Sequence, residues 1–208
     1  VCQELAGVVG NTNHHAEISR HTQDNSGKDL TYEHHKKAET RPFVKVLFSG
    51  NIDPKLYATY LKNQHPMYEI LEVCAMPHGL MSDYPTIRRA PAILEDFIEL
   101  WGEEPSTPKM CPVVNEYIKY ILSIKDDPKK LLAHLYVRHF GDLSGGQMIA
   151  KRVPGKGKYY QFDGNPDEIK TILRSKLDDS LADEAKVCFD FATRFFEEMM
   201  VIADEQTQ

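Results

Sequence analysis

Residues 139–150 read His139-Phe140-Gly141-Asp142-Leu143-Ser144-Gly145-Gly146-Gln147-Met148-Ile149-Ala150, three glycines set inside an otherwise helical stretch. Before them Leu131, Leu132, Leu135 and Tyr136 recur at helical spacing, and Met148 and Ile149 resume it afterwards. Each glycine in a helix interior costs about 0.8–1 kcal/mol against alanine, so the run forgoes roughly 2–3 kcal/mol of propensity. Gly141 and Gly145 lie four apart and, with Gly146, strip one face of side chains. Such a face lets another surface approach the backbone and lets the helix bend. Tight helix packing accounts for bare glycines alone. It does not account for Asp142, an ionisable group among them. A flat ligand lying on bare main chain beside a carboxylate accounts for both.

One literal match fails on context. Leu143-Ser144-Gly145-Gly146-Gln147 spells the signature of ABC-type ATPases. Those domains also need a GxxxxGK[ST] loop whose backbone N–H groups cradle phosphate. Gly27-Lys28, Gly155-Lys156 and Gly157-Lys158 all lack the upstream glycine and the following Ser or Thr.

Outward from this stretch, the chain reads as helices. Apolar spacings of three and four predict a helix over about 28–39 and a short one after Arg41-Pro42. Asp53-Pro54 sets an N-cap with proline at the first helical position. The helix it opens should kink at Pro66, which removes one backbone hydrogen bond. Further helices are expected over 93–101, 113–124, from 128 towards 152, over 167–177 and over 182–203. No internal repeat or linker interrupts them, so the expected fold is a compact all-α single domain over 28–208. Residues 1–27 are polar and aperiodic and read as an extension outside it; their His14, His15 and His21 form a loose tract with no metal spacing.

Composition limits the partners. The 208-residue chain carries a net charge of −6 with a pI near 5.8, which argues against general nucleic-acid binding. No run approaches the ~20 apolar residues of a membrane span, and no basic-then-apolar leader is read. Cys2, Cys74, Cys111 and Cys188 are widely spaced with no CxxC, as expected of free thiols in a reducing cytoplasm.

Two histidines stand together near the start of the first helix, in Tyr32-Glu33-His34-His35-Lys36-Lys37-Ala38-Glu39. Adjacent helical residues point about 100° apart, so at most one faces a given pocket. His35 shares a face with Thr31 and Ala38, and His34 shares one with Leu30 and Ala38. Periodicity does not choose between them.

The segment Tyr136-x-Arg138-x-x-Gly141-Asp142-Leu143-Ser144-Gly145-Gly146-Gln147 closely resembles the signature of the biliverdin-forming haem oxygenases. Further matches occur in order: His35-x-x-Ala38-Glu39, Tyr68-x-x-Leu71-Glu72, Arg88 ahead of Leu94-Glu95-Asp96, Lys170-x-x-x-Arg174-Ser175, and Ala185-Lys186-x-x-Phe189 through Phe196-Glu197-Glu198. The resemblance spans roughly 28–203.

That resemblance implies a helical domain with haem b sandwiched between a proximal and a distal helix, as both cofactor and substrate. It selects His35 as the proximal iron ligand, leaving the opposite face open for O2. It implies that Asp142, with Tyr68 and Arg138, holds a water network that protonates iron-bound oxygen. It implies that Gly141, Gly145 and Gly146 lie over the porphyrin, that Phe189 and Phe196 line the pocket, and that Lys28, Tyr136, Lys170 and Arg174 hold the propionates. The products would be biliverdin, expected as the IXα isomer, carbon monoxide and ferrous iron. Ala192 departs from the pattern, because well-known members carry an asparagine there.

No flavin or nicotinamide motif is present, so electrons must come from outside. The basic stretch 151–158 (Lys151, Arg152, Lys156 and Lys158) stands out on an acidic chain and suits docking of an acidic soluble donor, with ferredoxin expected and another soluble reductase as the substitute. A downstream bilin reductase is the expected consumer of product. A non-catalytic haem carrier or sensor would use the same pocket but has no need of Asp142. A di-iron site would want an ExxH pair, and the chain has none.

Overall fold

The computed structural model describes residues 26–208, with side chains described from Leu30 onward; Lys28 as a side chain and His14, His15 and His21 therefore lie outside the described residues. Among the described residues all regular secondary structure is helical and there is no strand. In order the helices are α1 (Ser26–Glu39), α2 (Pro42–Phe48), α3 (Pro54–Ala75), α4 (Ala90–Trp101), α5 (Pro112–Ser123), α6 (Pro128–Leu135), α7 (Gly141–Leu143), α8 (Gly146–Ala150), α9 (Pro166–Ser175) and α10 (Ala182–Gln206). None is long and apolar enough to cross a membrane.

Proline opens six of them, and in three of those a polar side chain also caps the start. Asp53 accepts hydrogen bonds from the N–H groups of Lys55 and Leu56, Asp127 from Lys130, and Asn165 from Asp167, each ahead of a proline. Gly102 ends α4 with a φ of 61°, a left-handed value that glycine reaches without strain. Pro66 does not end α3, which runs through it to Ala75.

The long helix α3 is the axis of the fold. Leu56, Tyr57, Tyr60, Leu61, Met67, Tyr68 and Leu71 are all buried, so α3 is covered on several faces. It packs against α4, α5 and α6, while α10 covers α1, α2, α5 and α6. Phe43 of α2 meets Tyr60 and Phe196, and Tyr60 stacks on Phe195, joining α2, α3 and α10 through aromatic rings. Glu72, fully buried on α3, caps α4 from outside: its carboxylate accepts from Arg89 N at 2.6 Å and Ala90 N at 2.9 Å.

The expected single helix from 128 towards 152 is broken. After α6 the residues Tyr136–Phe140 form a π-helical turn. The helix resumes for Gly141–Leu143, and Ser144 then leaves helical geometry at φ −100°, ψ −88° before α8. A π turn inserts one extra residue into the turn, and glycines on either side of the Ser144 break lower the cost of departing from helix. The bend lets Tyr160 reach the chain: a Cβ built on Gly146 would sit 2.5 Å from its ring carbon Cδ1. Gly146→Ala should therefore destabilise the fold by about 1–3 kcal/mol through overpacking, despite the ~1 kcal/mol that alanine gains in helix propensity. Urea unfolding of the haem-free protein checks this, and an unchanged midpoint would contradict the close approach.

Candidate functional site

Helix α1 is polar, and its buried side is narrow. His35 and Ala38, three apart, are both sealed against α10, at 5% and 1% exposure. The His35 ring lies 5.1 Å from that of Phe189, and its Nε2 is buried with no hydrogen-bond partner. Burial lowers its pKa to about 4, so the imidazole is neutral at pH 7 with an unused nitrogen. Its neighbour His34 is half-exposed and bonds Asp190 at 2.9 Å. The structure thus separates two histidines that periodicity left equivalent.

Ala38, one turn from His35, and Phe189, packed on its ring, line a cleft of about 690 Å³, part of it open to solvent; His35 itself lies behind them. Ala38 and the α10 side chains Phe189, Ala192, Phe195 and Phe196 form one wall. Gly141, Asp142, Gly146 and Arg138 form another, and Tyr60, Tyr68, Tyr159 and Tyr160 line the rest. Gly145 is buried in the same distal stretch. The cleft is therefore apolar and aromatic except at Asp142 and the groups around it, the composition expected of a site for a large apolar ligand.

Asp142 is 6% exposed. Tyr68 donates to its Oδ2 at 2.7 Å, and the Tyr159 hydroxyl lies 3.1 Å from Oδ1 and 2.9 Å from the Tyr68 oxygen. Burial raises its pKa to about 6, against the pull of Tyr68, then of His139 and Tyr159. A carboxyl that titrates there can both hold and release a proton near neutrality.

Arg138 sits one turn earlier. Its guanidinium lies over the rings of Tyr68 (5.3 Å) and Tyr117 (4.4 Å), and its Nε donates to the Tyr117 oxygen at 3.0 Å. A buried chain continues away from the cleft, from Tyr117 to His134 Nδ1 at 2.8 Å and from His134 Nε2 to Glu184 at 2.9 Å. The structure brings Tyr68 directly onto Asp142 and sets Arg138 against Tyr68.

A second polar group forms where α9 meets the π turn. The Arg174 guanidinium lies 5.0 Å from the Phe140 ring, and the Tyr136 ring meets the same ring at 5.0 Å, tilted by 37°. Burial raises the Tyr136 pKa, partly offset by the nearby Arg174 charge. Lys170, one turn before Arg174, is half-buried, 3.8 Å from Asp167.

In the basic stretch, Lys151, Arg152 and Lys156 are exposed, whereas Lys158 is paired with Glu95 at 2.9 Å. Charge alone does not disclose the two residues after Lys158. Tyr159 and Tyr160 are buried in the cleft, and the only signal for them is two adjacent tyrosines closing a glycine-rich loop. Tyr117 has no sequence signal as Arg138's partner either, because its spacing marks it simply as an inward residue of its helix.

These features define an all-α protein whose aromatic cleft has a glycine-rich, carboxylate-bearing stretch along one wall and a neutral imidazole behind another. A family model described as heme oxygenase matches residues 25–198. The chain belongs to the haem oxygenase family, a family of haem-degrading enzymes. It is 29% identical to heme oxygenase 2 of Macaca fascicularis, over 83% of this chain and 63% of that protein, so it spans just under two thirds of that relative's length. It is also 29% identical to a heme oxygenase of Pyropia yezoensis, over 86% of each. Among solved structures, heme oxygenase from Leptospira interrogans superposes with a TM-score of 0.72 at 29% identity, over 82% of this chain and 96% of that one. Heme oxygenase-1 from Synechocystis, solved in complex with heme, shares the fold at a TM-score of 0.74 and 22% identity, over 88% and 96%.

The neutral state of His35 has a measurable consequence. Its pKa is about 4 in the folded chain and 6.5 in the unfolded one, so between those values the unfolded chain binds more protons. The His35 contribution to stability is complete above pH 6.5 and is lost as pH falls towards 4, by up to about 3 kcal/mol. Urea unfolding of the haem-free wild type and His35→Gln across this range should give a difference that shrinks as pH falls. A constant difference would mean that His35 is not buried neutral.

Proposed function

We propose that this chain cleaves haem oxidatively, using O2 and electrons supplied from outside, to biliverdin (the IXα isomer), carbon monoxide and ferrous iron. One observation carries the reading: a carboxyl titrating near pH 6 lines an aromatic cleft, and Phe189, in the same lining, packs against an imidazole whose buried nitrogen has no partner. When bound, haem supplies the redox-active iron and is itself the substrate consumed. A carrier needs the imidazole but gains nothing from a buried carboxyl held above its ordinary pKa, so the carboxyl favours the oxygenase.

The donor set fits the group. In this reading the orphaned His35 Nε2 would ligate the haem iron. The bare main chain at Gly141 and Gly145 would admit the porphyrin, while Gly146 makes room for Tyr160 as well. Phe189 and Phe196 would supply apolar contacts to the ring. Tyr136, Lys170 and Arg174, with Lys28 at the start of α1, anchor its anionic propionates and so choose which edge meets Asp142. Asp142 stores and passes the proton the reaction consumes, oriented by Tyr68, with Arg138 adding positive charge beside them.

The electron donor in this reading is a ferredoxin or another acidic soluble reductase, docking on the exposed Lys151, Arg152 and Lys156. A cytoplasmic setting, with a bilin reductase taking the product, agrees with the free thiols of Cys74, Cys111 and Cys188.

Adding haem, a reducing system and air tests the reading directly: the Soret band should bleach while a broad red bilin absorption grows, and a persistent Soret band under adequate electron supply would refute it. In the same assay Asp142→Asn should still bind haem but lose bilin formation by at least tenfold, whereas His35→Ala should weaken axial ligation, seen as an altered Soret maximum. Charge reversal at Lys151, Arg152 and Lys156 together should slow turnover with ferredoxin severalfold and flatten its dependence on salt; rates equal to wild type at low ionic strength would remove the docking site.

A further inference from the structure

Residues 158–161 form a short strap whose main chain is latched at several points. Asp96 accepts from Lys158 N at 3.0 Å and Tyr159 N at 2.8 Å. Arg89 donates to the carbonyls of Tyr159 at 2.9 Å and Gln161 at 2.7 Å. Gln147, from the glycine signature itself, donates to the Tyr160 carbonyl at 2.9 Å. The two tyrosine rings stack at 4.1 Å with a 10° interplanar angle, and Tyr160 closes against Gly146. With backbone and ring so held, the Tyr159 hydroxyl has little freedom when it arrives 3.1 Å from Asp142 Oδ1.

Each oxygen of the Asp142 carboxyl therefore has one phenol: Tyr68 on Oδ2 and Tyr159 on Oδ1. Tyr159 has one proton and two acceptors within reach, so it either bonds Asp142 directly or reinforces the bond from Tyr68. Ala192, in the facing wall, has no side-chain donor to offer. We propose that Tyr159 is a positioning residue for the oxygenase chemistry: with Tyr68 it clamps both carboxyl oxygens of Asp142 and sets where that group holds and releases its proton. The purpose of the clamp rests on the function proposed above, but its existence does not.

The surroundings make the effect separable. Facing Asp142 are Tyr68 from α3, His139 from the π turn, Tyr159 from the strap and Arg89 ahead of α4. The phenols of Tyr57, Tyr60 and Tyr160 are near enough to sense its charge. Along α10, Cys188 is the titratable group among the cleft-lining residues. Tyr159→Phe removes one hydroxyl from this set and leaves the ring stack and every latch contact of the strap in place.

The experiment uses the haem-free protein. The infrared C=O band of the protonated Asp142 carboxyl, identified by its loss in Asp142→Asn, is titrated against pH. In Tyr159→Phe the midpoint should rise by about one pH unit, a tenfold change in the protonation constant, because a donor to the ionised form is lost. Replacing Tyr159 with 3-fluorotyrosine, a stronger donor, should move the midpoint below wild type. With haem added, the pH profile of bilin formation should shift in the same directions while haem affinity, read from Soret titration, stays constant. Midpoints unmoved by both replacements overturn the proposal. If the midpoints move as expected but the wild type forms no bilin, the clamp stands and the assigned reaction fails.

Discussion

A carboxyl group sealed from water must be given hydrogen-bond donors, and in this protein that need ties the distal stretch to three separate parts of the chain. Asp142 takes phenols from α3 and from the strap at 158–161. The strap stays in place because Asp96 and Arg89 hold its main chain. The Arg89 N–H is in turn bound by Glu72, and Glu72 is bound by His139 at 3.0 Å, three residues before Asp142. The polar groups thus close a circuit that starts and ends on the distal stretch. Removing a member would leave a buried partner unsatisfied, which costs more than the net value of the bond lost.

The proximal side obeys the opposite rule. The His35 Nε2 has been stripped of partners rather than supplied with them: it is buried and unbonded, and Phe189 covers the ring. An imidazole kept neutral by burial keeps its nitrogen lone pair available, which is the state in which histidine binds metal. His34, one residue away, is spent on Asp190 at the surface. The two sides therefore differ in kind. Behind one wall of the cleft lies a single unused imidazole nitrogen, and in the other stands a carboxyl surrounded by donors.

Local chemistry makes much of this legible. Asp53-Pro54 and Asp127-Pro128 announce helix starts that the structure keeps, and the glycine run with Asp142 inside it marks the distal stretch. The illegible parts depend on segments of the chain meeting at a distance. The cap of α4 is a side chain 17 residues away on another helix, so no local cap motif precedes α4. The π turn at Tyr136–Phe140 adds a residue to the turn without altering the apolar spacing on either side. Choosing between His34 and His35 requires the face that α10 covers. Tyr159 is hidden by the charges ahead of it in its own loop, because a phenol reaching back 17 residues to a carboxylate leaves no periodic trace.

Glu72 and Asp142 are both buried carboxyls, yet they are tuned apart. Burial pushes Glu72 up, but His139 and the backbone N–H groups of Ala90 and Arg89 outweigh it and hold the group below its ordinary pKa. Burial also pushes Asp142 up, and there Tyr68, His139 and Tyr159 fail to cancel it, leaving a midpoint near 6. The difference lies in the donors. Main-chain N–H groups at a helix start and an imidazole that can itself become cationic stabilise a carboxylate strongly, whereas neutral phenols stabilise it weakly and can equally accept a hydrogen bond from the acid form. Glu72 is thereby fixed as an anion that fastens α4 to the distal stretch. Asp142 is left near its balance point, and a proton placed there is available to whatever occupies the cleft.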